Sequence, residues 1–279
     1  MKTSTQLKAL IRNLSKSKNV EAEIILRTFM LERFLERVAA SKYKSNFILK
    51  GGMLIAAMTG IDTRTTMDLD ATIKGRNLSE PEIAAMIEDI LNVEVGDNVV
   101  FRFKGIDEIH ENADYPGYRV SMEAVLDKTR QTLKVDITAG DFVTPREVEY
   151  SFRLMFEDRE IAILAYNLET VLAEKFESVI ARGLTNTRMR DFYDIYILTT
   201  TQSENYEPNI FSLALKNTAG KRHTTEQLKG AAKVINTISG SSVMIGLWLR
   251  YQKKYSYAAD VTWEMAMNAL KELSMMIVA

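Results

Sequence analysis

Apolar residues recur at every third or fourth position through the first part of the chain, from Leu7 to Leu14 and again from Val20 to Val38. On an α-helix this spacing gathers the apolar side chains on one face. The pattern therefore predicts two amphipathic helices within residues 4–44, each with one face that covers another apolar surface.

From Phe47 onward, apolar and polar residues alternate in short runs, as they do in half-buried β-strands. One helical segment, Glu80–Leu91, interrupts these runs, with Ser79 in the N-cap position and Pro81 in the first turn. The middle of the chain is therefore predicted to mix strands and helices. The predicted strands are Phe47–Leu49, Leu69–Ile73, Val99–Ile109, Tyr118–Leu126, Leu133–Thr138, Val148–Phe152 and Glu160–Ile163.

After Tyr166 the helical spacing returns and continues to residue 275. The change of pattern predicts an α+β chain with two domains, residues 1–165 and residues 166–279, of which the second is helical. The predicted helices of the second domain are Leu168–Ala181, Arg190–Thr199, Ile210–Lys216, Thr225–Ser239, Ser242–Lys254 and Thr262–Met275.

Composition narrows the classes of function. The chain has 279 residues, a net charge of −1, no cysteine and two histidines, His110 and His223. The missing cysteines exclude disulfides, zinc–thiolate sites and cysteine nucleophiles, and the scarcity of histidine disfavours a serine triad. Because no apolar run approaches the roughly 20 residues that span a bilayer, we expect a cytoplasmic protein without membrane contact. The net charge gives no overall attraction to nucleic acid, so any such binding has to be local.

Two aspartates mark the start of a predicted strand. Asp68 and Asp70 are separated by one residue, so on a strand their side chains project to the same face. Two carboxylates held this close repel each other unless a cation lies between them. Mg²⁺, which prefers a few carboxylates together with phosphate oxygens, fits this requirement, so the pair is a predicted metal site.

A glycine pair lies upstream of these aspartates. Gly51 and Gly52 open a predicted short apolar helix, whose free N–H groups and positive dipole end attract phosphate. Arg64 and Thr66 add a guanidinium group and a hydroxyl shortly before the two carboxylates. Together these residues predict a site for a metal–nucleotide complex.

A third carboxylate, Asp136, lies in the predicted strand Leu133–Thr138 with the same alternation. Nucleotidyl transfer requires positioning and charge neutralisation, which carboxylates and divalent ions provide. Asp136 is therefore a candidate for completing the metal site or accepting a proton. The alternative is that these aspartates are only solvated charges at a strand edge.

A second group of charged residues lies on the first two helices of the C-terminal region. Lys175 lies at the edge of the apolar face of its helix, where it either binds phosphate or extends along the surface to pair with Glu174 or Glu177.

Four further charges lie on the next helical segment: Arg188, Arg190, Asp191 and Asp194. One turn separates Arg188 from Asp191 and Asp191 from Asp194, and Arg190 also neighbours Asp194. Such charges are costly if they are buried without partners. Either they form a salt-bridged face or they hold a phosphate and the acceptor.

The order of these motifs is GG, R-x-T-x-D-x-D, K-x-D, a helix containing E-K and a helix containing R-x-R-D-x-x-D. From Gly51 to about Leu198 this order resembles the AbiEii/AbiGii toxin family of nucleotidyltransferases. The resemblance implies a DNA polymerase β-like nucleotidyltransferase core, with a mixed sheet and flanking helices, followed by a helical C-terminal domain. It also implies that Asp68 and Asp70 bind metal and that the glycine pair binds the triphosphate.

The same resemblance assigns the C-terminal motifs. Lys175 corresponds to the lysine of the family's third motif and Asp191 to the acid of its fourth, with Asp194 as the alternative. Arg188, Arg190 and Asp194 are expected to contact the nucleotide. Arg190 stands where lysine is common, and the glycine-to-aspartate spacing is longer than usual, so the resemblance leaves the nucleotide preference open.

The family implies a bacterial toxin that uses Mg²⁺ or Mn²⁺ to transfer a nucleotide from a nucleoside triphosphate to an acceptor. In several relatives the acceptor is the 3′ end of tRNA, and a co-expressed antitoxin restrains the toxin. Two other functions stay open, a metal-dependent nuclease and a catalytically silent nucleotide-binding regulatory module. Specific binding of a nucleoside triphosphate distinguishes the nuclease from the transferase.

Overall fold

A computed structural model describes residues 3–75, 79–112 and 115–277. The chain divides into two compact units. The first comprises Met1–Asp141 and Val148–Ala165, and the second comprises Phe142–Glu147 and Tyr166–Ala279. The short segment Phe142–Glu147 is thus grouped with the C-terminal helices, although it precedes the last two strands of the first unit in sequence.

The first unit begins with the two predicted amphipathic helices, α1 (Ser4–Lys18) and α2 (Ala22–Ala40). The hydroxyl of Thr3 caps α1 by accepting a hydrogen bond from the N–H of Gln6. Asn19 ends this helix in the left-handed conformation, with φ of 51°. Most side chains in the second half of α2 are buried, which confirms that this helix packs against the body of the unit.

Seven strands within the described residues form one mixed sheet in the first unit. All seven correspond to predicted strands. They are β1 (Phe47–Lys50), β2 (Leu69–Ile73), β3 (Val100–Asn112), β4 (Tyr115–Leu126), β5 (Thr129–Ala139), β6 (Val148–Arg153) and β7 (Glu160–Ala165). Their order in the sheet is β3-β4-β5-β2-β1-β7-β6. Strand β2 pairs with β5 in parallel and with β1 antiparallel, so it lies between the strand that carries Asp136 and the strand that leads into Gly51.

The centre of this sheet is buried on one face. Leu69, Ala71, Val135 and Ile137 on β2 and β5 are each 0% exposed. Because side chains alternate along a strand, the intervening residues of β2 and β5 project to the other face. That second face carries the candidate carboxylates.

Two helices lie between the first three strands in sequence. Helix α3 (Gly51–Thr59) begins directly after β1, as the glycine pair predicts. Helix α4 (Glu80–Leu91) has the predicted bounds and a capping box in which Ser79 and Glu82 each accept a hydrogen bond from the other's backbone N–H. The local sequence therefore predicts where the helices of the middle region begin.

The second unit is helical, as predicted. Its helices are α5 (Leu168–Arg182), α6 (Met189–Thr201), α7 (Pro208–Lys221), α8 (Thr225–Lys229), α9 (Ala231–Ser239), α10 (Ser242–Lys254) and α11 (Trp263–Met275). The prediction of one continuous helix over Thr225–Ser239 is wrong, because the chain breaks at Gly230 into α8 and α9. Glycine costs more in a helix interior than any residue except proline. None of the helices in the described ranges is both long and apolar enough to cross a membrane.

Candidate active site

Asp70 and Asp136 lie side by side on adjacent strands of the first unit. They are register partners in the parallel pairing of β2 with β5, so their side chains leave the same face of the sheet. Asp68 lies one residue before β2 and, like Asp70, is half-buried. The structure thus brings Asp70 and Asp136 together and places Asp68 just ahead of the strand that carries Asp70.

Arg119 of β4 binds Asp136 through two parallel hydrogen bonds. Its Nε lies 2.8 Å from Oδ1 of Asp136, and its Nη2 lies 2.6 Å from Oδ2. The bonded carboxylate raises the pKa of Arg119 above its ordinary value, and the charges of Asp68 and Asp70 add to the effect. The guanidinium group therefore lies within electrostatic reach of all three aspartates.

Sequence reasoning missed Arg119. The available signal was weak, because Arg119 is simply one polar position in the predicted strand Tyr118–Leu126. Its importance comes from the antiparallel pairing of β4 with β5, which sets Arg119 opposite Asp136. The predicted strands left residues 127–132 unassigned, so the hairpin turn between Leu126 and Thr129 that sets this register was not recognised.

The glycine pair lies against the carboxylate of Asp70. Gly51 has φ of +67°, and a Cβ at this position would lie 2.6 Å from Cγ of Asp70. Both its backbone conformation and the available space therefore require glycine. The N–H of Gly52 donates to Oδ2 of Asp70 across 3.4 Å. The carboxylate of Asp70 thus lies against the N-terminus of α3, and the predicted binding of phosphate there stays a prediction.

Arg64 and Thr66 shape the backbone that leads to the carboxylates. The side chain of Arg64 is 1% exposed and donates a hydrogen bond to the carbonyl of Thr65. The hydroxyl of Thr66 donates to the carbonyl of Asp68 at 3.0 Å. A Cβ on Gly52 would lie 2.7 Å from this hydroxyl, so the segment packs tightly against the start of α3. Their predicted contact with phosphate stays a prediction.

Lys50 is a second residue that sequence reasoning missed. It is buried at the end of β1, where its Nζ lies 2.8 Å from Oδ2 of Asp141 and 2.9 Å from Oγ1 of Thr138. Lys50 is also the register partner of Asp70. Its charge thus lies beside the aspartates and is held in place by its own carboxylate partner.

These positions form a row of four charges across four neighbouring strands, with two carboxylates in the middle and a cation at each end. From β1 to β4 the register partners are Lys50, Asp70, Asp136 and Arg119. We refer to these four residues as the charged row. The flanking cations offset the repulsion between the two carboxylates, which are held close together on one face.

The donor groups fit a divalent cation in part. Asp68 and Asp70 supply half-buried carboxylate oxygens, which are ligands that Mg²⁺ prefers. Both oxygens of Asp136 accept hydrogen bonds from Arg119. Within the described ranges, no group of three or more acidic or histidine side chains is arranged to hold a metal ion. The predicted trio therefore requires Asp136 to exchange its partner before it can ligate a metal.

Lys175 of the second unit links two acidic side chains of the next helix. Its Nζ lies 2.7 Å from Oδ1 of Asp191 and 3.0 Å from Oδ2 of Asp194. Asp194 is 0% exposed and Asp191 is 5% exposed, so α6 carries two buried acids whose charge Lys175 of α5 offsets. The contacts present are those of a salt-bridged face, which was one of the two predictions for these helices.

The alternative pairing predicted for Lys175 is wrong. Glu174 and Glu177 instead bind Arg222, whose guanidinium nitrogens lie 3.2 Å and 2.6 Å from their carboxylates. The helical spacing allowed either partner, since it does not show which residues of other helices approach α5.

Arg188 and Arg190 are exposed at the start of α6. Burial lowers the pKa of the nearby Arg182, and the positive charge of Arg188 lowers it further. This end of the helix pair therefore concentrates positive charge close to Asp191. Contact of Arg188, Arg190 or Asp194 with a nucleotide stays a prediction.

Comparison with known families identifies one match. The model of the family described as nucleotidyl transferase AbiEii toxin, type IV toxin–antitoxin system, matches residues 33–268. The matched range contains every candidate residue of both units described above. No curated protein matches the chain.

Solved structures show a similar fold at low identity. The crystal structure of JHP933 from Helicobacter pylori has a TM-score of 0.54 and 15% identity, and the alignment covers 92% of this chain and 93% of that one. A candidate nucleotidyltransferase from H. pylori has a TM-score of 0.51 and 14% identity over 92% of this chain and 96% of that one. At this level of identity the similarity concerns the fold, and it confirms the predicted α+β architecture.

Proposed function

This chain belongs to the AbiEii family of nucleotidyl transferase toxins of type IV toxin–antitoxin systems, and we propose that it transfers a nucleotide from a nucleoside triphosphate at the carboxylates of its first unit. The observation that carries the proposal is the pairing of Asp70 with Asp136 on adjacent strands, next to a helix that opens with Gly51 and Gly52. Carboxylates and a helix N-terminus together can hold a divalent cation and phosphate groups.

In this proposal Asp68 and Asp70 bind Mg²⁺ or Mn²⁺. When bound, the ion offsets the negative charge of the triphosphate and of the pyrophosphate that leaves. The N–H groups at the start of α3 bind phosphate oxygens, and the absence of side chains at Gly51 and Gly52 allows the close approach. Arg64 and Thr66 hold the loop that positions Asp68.

The reaction joins an acceptor hydroxyl oxygen to the α-phosphorus of the nucleoside triphosphate. The bond between this phosphorus and the oxygen that bridges to the β-phosphate breaks, and pyrophosphate leaves with that electron pair. Asp136, beside Asp70, takes up the proton of the hydroxyl once its oxygens are released, or water does so. The chain's contribution is therefore position and charge, with no covalent intermediate.

The second unit supplies positive charge for a phosphate group. Asp191 and Asp194 fix the ammonium group of Lys175, and Asp191 orients it. The exposed guanidinium groups of Arg188 and Arg190 add to this charge. These roles follow the family assignment, and the ion pairs support it by fixing the position of Lys175.

The proposed acceptor is the 3′ end of tRNA, and the proposed partner is a cognate antitoxin. The assignment of the family to type IV toxin–antitoxin systems supports the antitoxin. The acceptor rests on the resemblance to the family.

The test is incubation of the purified protein with bacterial tRNA, Mg²⁺ and each radiolabelled nucleoside triphosphate in turn. We expect the native chain to label tRNA and Asp70→Ala to fail, because Asp70 is central to the charged row. Asp158→Ala is the matched control, because its side chain is fully exposed in the first unit and it should label tRNA normally.

Each result decides a different part of the proposal. Labelling by the native chain and the control, but not by Asp70→Ala, supports nucleotidyl transfer and identifies the nucleotide. Binding of the triphosphate without labelling overturns tRNA as the acceptor. Loss of both binding and labelling in the native chain overturns the proposed site.

A further inference from the structure

The charged row contains two cations that are held in different ways. Lys50 is buried and bound to Asp141 and Thr138. The side chain of Arg119 is 35% exposed, and that of its partner Asp136 is 10% exposed. A long side chain that is one-third exposed can move into solvent without opening the core, whereas a buried lysine cannot. Arg119 is therefore the cation of the row that can be displaced.

Arg119 occupies the groups that a third metal ligand would need. Its two hydrogen bonds use both oxygens of Asp136. Charge-assisted, bidentate pairs of this kind are among the stronger interactions between side chains. A divalent cation that approaches Asp68 and Asp70 therefore competes with the guanidinium group for Asp136.

The electrostatic balance of the site also depends on Arg119. Asp68, Asp70 and Asp136 carry three negative charges, and Arg119 is attracted to each of them. A bound divalent cation supplies the same compensation and repels the guanidinium group, because both are positive. Metal binding and the Arg119–Asp136 pair are therefore expected to weaken each other.

We propose that Arg119 is the counter-ion of the aspartates in the metal-free protein, and that a divalent cation displaces it from Asp136. This inference rests on the proposed metal site of the first unit. It makes Arg119 a positioning residue, because it holds Asp136 ready beside Asp70 and releases it when the cation binds. Asp136 can thus stay beside Asp70 without a metal.

The test measures Mn²⁺ binding to the nucleotide-free protein by the paramagnetic resonance signal of the free ion. We expect Arg119→Gln to bind Mn²⁺ about tenfold more tightly than the native chain, since one charged hydrogen-bonded pair no longer competes. Arg102→Gln is the matched control. Arg102 pairs with Glu123 between β3 and β4 at 3.4 Å, so its loss should leave Mn²⁺ affinity unchanged.

A double-mutant cycle shows whether the competition acts through Asp136. The gain from Arg119→Gln should disappear in an Asp136→Asn background, because the shared carboxylate is gone. Arg119→Lys, which keeps the charge but loses the two-pronged contact, should give a smaller gain. It also provides the measurement if Arg119→Gln does not fold.

Thermal unfolding gives an independent readout. Without metal, Arg119→Gln should melt at a lower temperature than Arg102→Gln, and saturating Mn²⁺ should restore it towards the native value. Unchanged or weaker Mn²⁺ affinity in both Arg119 variants would overturn the inference. If Arg119→Gln gains affinity while the native chain transfers no nucleotide, the inference stands and the proposed reaction fails. Absence of Mn²⁺ binding in every variant overturns both the inference and the metal site.

Discussion

Gly51 meets two separate requirements at the residue scale. Its φ of +67° lies in the left-handed region, and a side chain at this position would overlap the carboxylate of Asp70. Many turn glycines share the positive φ. The overlap with Asp70 is particular to Gly51 and links it to the charged row. A substitution can separate the two, because Gly96 has φ of +71° with no atom within 4 Å of its would-be Cβ.

We expect Gly96→Ala to lower the free energy of unfolding by about 1 kcal/mol, the usual cost of a left-handed alanine. Gly51→Ala should cost more, since Asp70 must also move, and it should lower nucleotidyl transfer far more than Gly96→Ala does. Denaturant titration and the tRNA-labelling assay measure the two effects. Equal losses in both assays for the two variants would show that the contact with Asp70 has no functional importance.

At the element scale, the ion pairs of Lys175 tie α5 to α6. Asp194 is fully buried and Asp191 nearly so, so the lysine offsets charge that water cannot solvate well. Removing one partner of a buried pair is more damaging than replacing the whole pair. The packing of these two helices should therefore depend on Lys175, whatever part it takes in chemistry.

We expect Lys175→Met to lower the free energy of unfolding by roughly 2 to 4 kcal/mol, somewhat less than for a fully buried pair. Asp194→Asn in the same chain should recover part of this loss, because it removes one uncompensated charge. Lys229→Met is the control, since Lys229 and Glu226 form an exposed pair and should contribute less than about 1 kcal/mol. Denaturant titration of the three variants measures the difference, and equal effects of Lys175→Met and Lys229→Met would contradict this account.

At the scale of the whole molecule, α2 carries a row of buried ionisable side chains into the first unit. Glu32, Arg33, Glu36 and Arg37 are all at most 7% exposed. Arg37 lies 2.8 Å from Asp97, and Arg33 lies 2.8 Å from Glu157, so the helix binds distant segments through ion pairs. Glu32 accepts a hydrogen bond from the N–H of Met155. Burial raises its pKa to about 8, which outweighs that hydrogen bond and the attraction of Arg33.

This shift predicts a pH dependence of stability. Between the ordinary pKa of 4.5 and about 8, folded Glu32 keeps a proton that the unfolded chain releases. The folded state binds more protons there, so the free energy of unfolding falls as the pH rises through this range. The stabilising contribution of Glu32 is fully present at pH values below its pKa in the unfolded chain. It is lost once the pH rises to its pKa in the folded chain.

We expect Glu32→Gln, which cannot ionise and can still accept from Met155, to lack this decline. Its stability relative to the native chain should increase by at least about 1 kcal/mol between about pH 5 and about pH 7.5. Glu23→Gln, on the exposed face of the same helix, should keep a constant difference from the native chain. Thermal or denaturant unfolding across this pH range measures the effect, and parallel curves for all three proteins would contradict a buried, protonated Glu32.

The sequence by itself determined the secondary-structure elements and singled out the glycines and aspartates of the candidate site. Side-chain periodicity is a local property, so it located the strands, most helix bounds and the glycine pair that opens α3. The same local alternation singled out Asp68, Asp70 and Asp136 as carboxylates able to project from strands. Helix breaks were harder, since at Gly230 the weak preference of one residue decided whether one helix or two would form.

Only the tertiary structure decided which charges meet. Arg119 and Lys50 lie in the charged row because β4 pairs with β5 and β1 pairs with β2. Lys175 forms ion pairs with Asp191 and Asp194, whereas Glu174 and Glu177 form ion pairs with Arg222. The helical pattern of α2 likewise did not predict that its ionisable side chains are buried. The physical reason is that strand register and helix packing bring together residues of different elements, and these contacts are fixed by the whole core.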